Sequence, residues 1–199
     1  MAQVEGIVEN RTLVKKSLDR NIGTITLDNP SKHNALSAAL IGDLLMALSD
    51  LTSAGARAII LRAHKGAKVW SAGHDVRELP TNGRDPLTYD DPLRRVARVI
   101  KESPTPIIAM VEGGVWGGAC EIVMSCDLVI AAEGTTFAIT PAKLGVPYDI
   151  EGTLSFMQSV SLPVIKEMLF TAQPMPADRA LRVGLIIQVV PAERLESAT

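Results

Sequence analysis

Apolar and polar positions alternate from Thr12 to Leu18 and again from Gly23 to Leu27, the period of half-buried strands, and Arg20-Asn21 between them reads as a hairpin turn. The period then changes. Pro30 and Asn34 break the strand pattern, Ser37 stands as an N-cap, and Leu40, Ile41, Leu44, Leu45, Leu48 and Leu51 fall on one face of a helix that packs against a sheet. Ala58 to Leu61 is a short buried strand. After the polar AHKGAK turn, VWSAGHDV gives a second strand that ends in a loop with glycine at Gly73, so the loop residues sit at a strand's carboxyl end. Glu78 to Tyr89, with Pro80, Gly83 and Pro86, reads as an exposed segment and a candidate lid. Asp91 as N-cap and Pro92 at the first helical position open a helix through Val96, Val99 and Ile100.

The stretch from Val111 to Asp127 organises the chain. An apolar run from Pro106 to Val111 passes through Gly113, Gly114, Gly117 and Gly118 before Ala119, Ile122, Val123 and Met124 resume at helical spacing: strand, glycine turn, helix. The first turn of a helix has no intrahelical acceptor for its N–H groups, which then point at any anion or developing oxyanion in front of them, with the helix dipole adding to the attraction. A tight turn that needs glycine for its dihedrals alone is the plainer reading of the same residues. Further on come a strand at Leu128 to Ala132, an extended piece at Thr136 to Ile139 and the turn-rich TPAKLGVPYDIEG. Helices follow from Pro163 to Thr171 and from Pro176 to Val183, with Gly184 as C-cap, then a strand at Ile186 to Val190 and the opening of another helix at Glu193 to Ala198. The alternation predicts one α/β domain over residues 1–199, built of ββα units with no short-period repeat or linker.

Composition trims the options. With 199 residues, 47% of them hydrophobic, the chain is long enough for a full core. A net charge of −2, and no basic run denser than Arg94-Arg95 with Arg98, argue against a nucleic-acid or membrane partner. Those arginines read as a solvated helix face. The N-terminus lacks an apolar core of signal-peptide length, so a cytoplasmic protein is expected. Cys120 and Cys126 match no metal or redox spacing and read as core residues, as do Trp70 and Trp116. His33, His64 and His74 are scattered, and no metal site is expected.

SAGHD at Ser71 to Asp75, WGGACE at Trp116 to Glu121, NAL at Asn34 to Leu36 and LGVP at Leu144 to Pro147 together resemble the crotonase, or enoyl-CoA hydratase/isomerase, superfamily, from about Thr12 to the last residue. The resemblance implies a crotonase-like spiral of ββα units. It implies an acyl-CoA thioester substrate, with CoA as part of the substrate and no separate cofactor. The thioester oxygen is then held by two backbone N–H groups, at His74 and Gly118, which stabilise an enolate far more than the neutral ground state. The SAGHD backbone, Ser71 to Asp75, resembles the family's adenine-binding loop, which implies substrate contacts at Ala72, Gly73, His74, Asp75 and Val76, and Lys32 stands where a basic residue meets CoA phosphate. Family members form trimers or hexamers, which implies a homo-oligomer. They also continue past this point with further helices over the acyl-CoA, and the chain is short of that C-terminal region.

Departures from the family narrow the chemistry. Glu121 matches the first of the two glutamates that hydratases use, but Pro141 occupies the position of the second, and proline neither gives nor takes a proton. Tyr148 replaces the carboxylate that dienoyl isomerases need after Gly145-Val146-Pro147. The combination of SAGHD, YDDPLR at Tyr89 to Arg94, MVEGGVWGGA at Met110 to Ala119 and TPAKLGVPY at Thr140 to Tyr148 is similar to the acyl-CoA decarboxylases of the family. The reaction this implies takes a methylmalonyl-CoA-type thioester to propionyl-CoA and CO2. It needs no general base, only a carboxylate held out of the thioester plane. Tyr148 is the side chain assigned to that carboxylate, with Thr140 lining the same pocket. Two alternatives stand beside it: a hydratase or isomerase working with Glu121 alone, and a catalytically reduced module that binds CoA esters or a partner protein. Without the resemblance Tyr148 reads as a packing residue, His74 as a satisfied histidine and Glu121 as an ion-pair partner in a first helical turn.

Overall fold

The computed structural model describes residues 12–79, 87–148 and 150–199, without the side chain of Glu151. Strands β1 (Val14–Asp19) and β2 (Ile22–Leu27) form an antiparallel hairpin, with Arg20 and Asn21 both at positive φ as its two-residue turn demands. Helix α1 (Ala38–Ser53) follows; the Ser37 hydroxyl accepts from Leu40 N–H at 3.3 Å, and Leu40, Ile41, Leu44, Leu48 and Leu51 are buried. The next turn is β3 (Ala58–Ala63), β4 (Val69–Ser71) and α2 (Pro92–Lys101). The third is β5 (Ile107–Val111), β6 (Gly114–Trp116) and α3 (Gly118–Ser125). Then come β7 (Leu128–Ala132), β8 (Thr136–Ala138), α4 (Ile150–Ser159), α5 (Leu162–Thr171), β9 (Met175–Pro176), α6 (Ala177–Arg182), β10 (Gln188–Val190) and α7 (Leu195–Ala198).

The first turn keeps both of its strands in one sheet, and each of the next three places one strand in each of two sheets. A six-stranded sheet runs β1-β2-β3-β5-β7-β10, parallel from β2 onward, and a four-stranded sheet runs β4-β6-β8-β9, parallel over its first three strands. The ββα spiral expected from the sequence is therefore the observed architecture. Ile25, Leu27, Leu44, Ile59, Leu61, Val96, Ile122 and Phe137 belong to one continuous core between sheets and helices. A second cluster of Met110, Ile130, Ala132, Val190 and Leu195 joins α7 to β5, β7 and β10.

Four expectations change. Val115 and its neighbours form β6 between the two glycine pairs, because Gly113, at φ +86, turns the chain from one sheet into the other. The turn-rich stretch after Tyr148 becomes α4, on whose inner side Phe156 is 1% exposed, while Ile150, Leu154 and Met157 face outward. Arg94 is not solvated: α2 packs against both α1 and α3, and Arg94 is buried there, while Arg95 stays exposed. Trp70 is core, but Trp116 is only half-buried, its indole lying against the bare face of Gly114. The candidate lid at Glu78 to Tyr89 falls in part on residues 80–86, outside the described residues. Among the described residues no helix is long and apolar enough to cross a membrane.

Candidate active site

Because β4, β6 and β8 are adjacent and parallel, the loops that follow them leave the same edge of the small sheet side by side. These are the SAGHD loop, the Gly117-Gly118 turn and the loop from Thr140 to Tyr148. Ligand sites of parallel sheets form at this carboxyl edge, where loops converge and helix N-termini point outward.

The SAGHD loop is fixed from below by Asn34. That residue is fully buried at φ +49; its side-chain amide donates to Trp70 O at 2.9 Å and its side-chain oxygen accepts from Asn29 N–H at 2.9 Å. The Ser71 hydroxyl donates to Asn34 O at 2.7 Å and accepts from Gly73 N–H at 3.2 Å. Leu36 N–H donates to Gly73 O and Asp75 N–H to Leu36 O, a bridge that leaves the intervening His74 N–H directed away from it. Gly73, at φ +85, presses on the neighbouring turn so closely that a β-carbon there would lie 2.3 Å from Trp116 O and 2.8 Å from Gly118 N. Gly117, at φ +55 and ψ −128, then delivers Gly118 as the first residue of α3. A β-carbon on Gly118 would lie 3.5 Å from His74 N, so the two N–H groups are neighbours. Among the described residues neither is consumed by a backbone hydrogen bond outside the helices and strands, and as the first residue of α3 Gly118 has no intrahelical acceptor.

A cleft of about 580 Å³, measured out to its open mouth, lies in front of them. Ala72, His74, Val76, Gly118, Glu121, Thr140 and Tyr148, all singled out from the sequence, line it together with Pro141. Leu79, Leu87, Leu93, Leu144 and Val146 add apolar walls that sequence reasoning did not assign, since each lies in a loop or at a helix start with no periodic signal. Gly73, Asp75 and Lys32 do not line it. Gly73 acts from behind, and the Asp75 carboxylate turns onto Arg77, whose Nε approaches at 2.9 Å. That guanidinium holds the Asp75 carboxyl down to about 2. Lys32 is exposed on the turn Pro30–Lys32, near enough to Asp75 to favour its charge.

Glu121, 2% exposed, points from the first turn of α3 to the cleft, and the Tyr148 hydroxyl donates to its Oε2 at 3.4 Å. Tyr148 is braced by Phe156 of α4, with ring centroids 5.6 Å apart at 55°. The His74 ring reaches Asp75 O with Nδ1 at 3.1 Å and Asp91 Oδ2 with Nε2 at 3.4 Å. Burial opposes its charge, but these contacts outweigh burial and raise its pKa above 6.5. Burial likewise opposes the Asp91 carboxylate, yet the His74 contact and the Leu93 N–H hold its pKa below 3.8. The Asp91 link was not legible because its partner lies seventeen residues away in another loop. Cys120 and Cys126 are buried free thiols; burial pushes Cys120 up to about 12 and raises Cys126 as well.

A ββα spiral whose parallel-strand loops bring the main-chain N–H groups of two cleft-lining residues together places the chain by fold and site, and by sequence it belongs to the enoyl-CoA hydratase/isomerase family, which it matches over residues 17–199. Within that family it is 52% identical over 178 residues to methylmalonyl-CoA decarboxylase of Escherichia coli (strain K12), covering 89% of this chain and 68% of that protein. It is 36% identical to the mitochondrial enoyl-CoA hydratase domain-containing protein 3 of Mus musculus, covering 89% of this chain and 59% of that one. The solved structure of methylmalonyl-CoA decarboxylase in complex with 2-nitronate-propionyl-CoA matches with a TM-score of 0.91 at 50% identity, over 94% of this chain and 72% of that chain. The complex of methylmalonyl-CoA decarboxylase with 2S-carboxypropyl CoA matches with a TM-score of 0.92 at 49% identity, over 95% and 72%. This likeness supports an enzyme of decarboxylase type, a carbon–carbon lyase acting on an acyl-CoA.

Proposed function

We propose that the protein converts a methylmalonyl-CoA-type thioester to propionyl-CoA and CO2 through a thioester enolate whose oxygen is held by the N–H groups of His74 and Gly118. One observation carries the reading: the cleft pairs two converging main-chain donors with a tyrosine hydroxyl, and Glu121 is the single carboxylate among its described lining residues. Adding water across a double bond calls for two acid–base groups, and Pro141 occupies the second place. Losing CO2 calls for an electron sink and an orientation. The carbon–carbon bond breaks, its electron pair enters the carbonyl π system, and charge arrives at an oxygen already faced by two donors that need no reorganisation. The enolate then takes up one proton to give propionyl-CoA. Tyr148, in the lining of the same cleft, is the donor that would hold the departing carboxylate out of the thioester plane. The apolar walls of Leu79, Leu87 and Leu93 favour losing it as neutral CO2.

The test is propionyl-CoA and CO2 release from methylmalonyl-CoA by the purified chain and by Tyr148→Phe. Loss of one oriented hydrogen bond in the transition state predicts a kcat lower by about 100-fold, with propionyl-CoA binding nearly unchanged. A folded protein that binds propionyl-CoA and releases no CO2 refutes the proposal. Hydration of crotonyl-CoA that survives Tyr148→Phe and is lost in Glu121→Gln would establish the hydratase alternative instead.

A further inference from the structure

Both ring nitrogens of His74 face acceptors: the carbonyl of Asp75 at Nδ1 and the carboxylate of Asp91 at Nε2. A neutral imidazole carries one donor and one acceptor nitrogen, so it satisfies only one of these contacts, whereas a doubly protonated ring satisfies both. The pair is largely shielded, with side chains 12% and 9% exposed, and a shielded carboxylate requires a donor or a cation beside it. The other Asp91 oxygen, Oδ1, accepts from Leu93 N–H at 2.8 Å and caps α2, which fixes the direction of Oδ2.

The remaining charges around the ring come from every packed element. Glu78, on the turn after the SAGHD loop, favours the ring's proton, and the Asp75 carboxylate is engaged by Arg77. Arg94 of α2 acts on Asp91, and Glu121 of α3 lines the same cleft with Tyr148. His74 lines the cleft and Asp91 does not. The pair therefore presents its positive end to the cleft, next to the main-chain donor of the same residue.

We propose that His74 and Asp91 form a standing ion pair in which the imidazolium backs the oxyanion donors with a fixed positive charge and Asp91 is its positioning residue, a role that rests on the enolate reading given above. Charge that develops on the thioester oxygen gains more from a cation held in place than the neutral ground state does, so the pair acts on kcat rather than on binding. The charge persists up to the raised pKa of the ring and disappears above it.

Asp91→Asn isolates the effect, because asparagine caps a helix as well as aspartate does and only the charge is lost; Asp91→Ser is the second variant, with the same capping ability. The protonation of His74 is read by nitrogen NMR of labelled imidazole in the unliganded protein, its signals assigned by their loss in His74→Gln. Below pH 6.5 both ring nitrogens are expected to be protonated in the native protein, with a midpoint above 6.5 that falls in the Asp91 variants. In decarboxylation of methylmalonyl-CoA the variants should show kcat lower by about tenfold, KM within threefold, and an alkaline limb moved to lower pH. A His74 midpoint at or below 6.5, a midpoint unmoved by loss of the Asp91 charge, or an unchanged kcat and pH profile would each overturn the pairing. If the native chain releases no CO2, the enolate reading fails by itself, while the ring titration still decides whether the ion pair exists.

Discussion

Gly73→Ala tests the central geometric claim, that two loops must touch main chain to main chain for their N–H groups to converge. The new methyl would sit 2.3 Å from Trp116 O and 2.8 Å from Gly118 N, both below the 3.0 Å that β-carbons essentially never breach. Neither obstacle is a flexible side-chain end. Relief requires a separation of the SAGHD loop from the glycine turn by about 0.7 Å, and the residue must also hold φ +85, which costs an alanine about 1–2 kcal/mol. Displacement near 1 Å at a reacting centre is worth about 100-fold, and removal of one oxyanion donor about 3 kcal/mol, so kcat for decarboxylation should fall by about 100- to 1,000-fold. Gly134→Ala is the control: it has φ +78 but nothing within 4 Å of its would-be β-carbon. Both variants carry the same kind of backbone strain, so both should lose a similar increment in thermal midpoint from that source, with Gly73→Ala losing more from the collision. Only Gly73→Ala should lose kcat. Steady-state release of CO2 with a parallel thermal melt checks this. A folded Gly73→Ala protein with kcat within threefold of the native chain would refute the claim that close contact of these loops builds the oxyanion site.

Two further outcomes follow from the same framework. Asn34→Ala removes a fully buried side chain that ties its own turn at Asn29 to strand β4 at Trp70 and puts alanine at φ +49, so it should destabilise the fold by about 2–4 kcal/mol, measured by urea unfolding; a loss under 0.5 kcal/mol would remove Asn34 as the anchor. Stability should also follow pH on both sides. Asp75 and Asp91 have folded pKa values below 3.8, so their contribution is present above that value and is lost as pH falls toward about 2, whereas His74, raised above 6.5, contributes fully below 6.5 and loses its contribution as pH rises through its folded value. Urea midpoints from pH 2 to 9 should show this plateau, and an alkaline limb identical in Asp91→Asn would refute the His74 assignment.

Elements with a strong local period were legible in the chain itself. The β1–β2 hairpin, the caps at Ser37 and Asp91 and the apolar face of α1 all stand where their residues put them, because capping and turn chemistry act within four residues. β6 was not, because its three residues, Gly114 to Trp116, begin on a glycine and are too short to show a period, and they owe their strand pairing to β4 and β8. Helix α4 was hidden by the turn signals of Gly145, Pro147 and Gly152, which its packing against α3 overrides. Arg94 shows the converse: charge argued for solvent, but its helix is covered on two sides. For the site, the motif residues were readable as loops after strands. The apolar walls from Leu79, Leu87 and Leu93, and the second partner of Asp91, depend on contacts that cross elements and leave no trace in local spacing.

The arrangement also explains why so few side chains are needed for the chemistry proposed. The two donors that the proposed mechanism assigns to the developing charge belong to the main chain, so their direction is set by the bridge from Leu36, the Ser71 hydroxyl and the contact of Gly73 with Trp116, none of which depends on what the substrate carries. Side chains at 74, 141 and 148 are thereby released to choose the reaction. In the proposed chemistry, proline at 141 withholds a proton-transfer group, tyrosine at 148 offers a donor in its place, and histidine at 74, in contact with Asp91, is assigned the charge behind the donors. It follows that Pro141→Glu, made on an otherwise native chain, should leave the oxyanion frame intact while placing a second carboxylate in the lining of the cleft beside Glu121's. A gain of crotonyl-CoA hydration in that variant, with decarboxylation diminished by the added negative charge, is the expected result. If hydration stays absent while propionyl-CoA still binds, position 141 does not decide between the two chemistries and the burden moves to Tyr148.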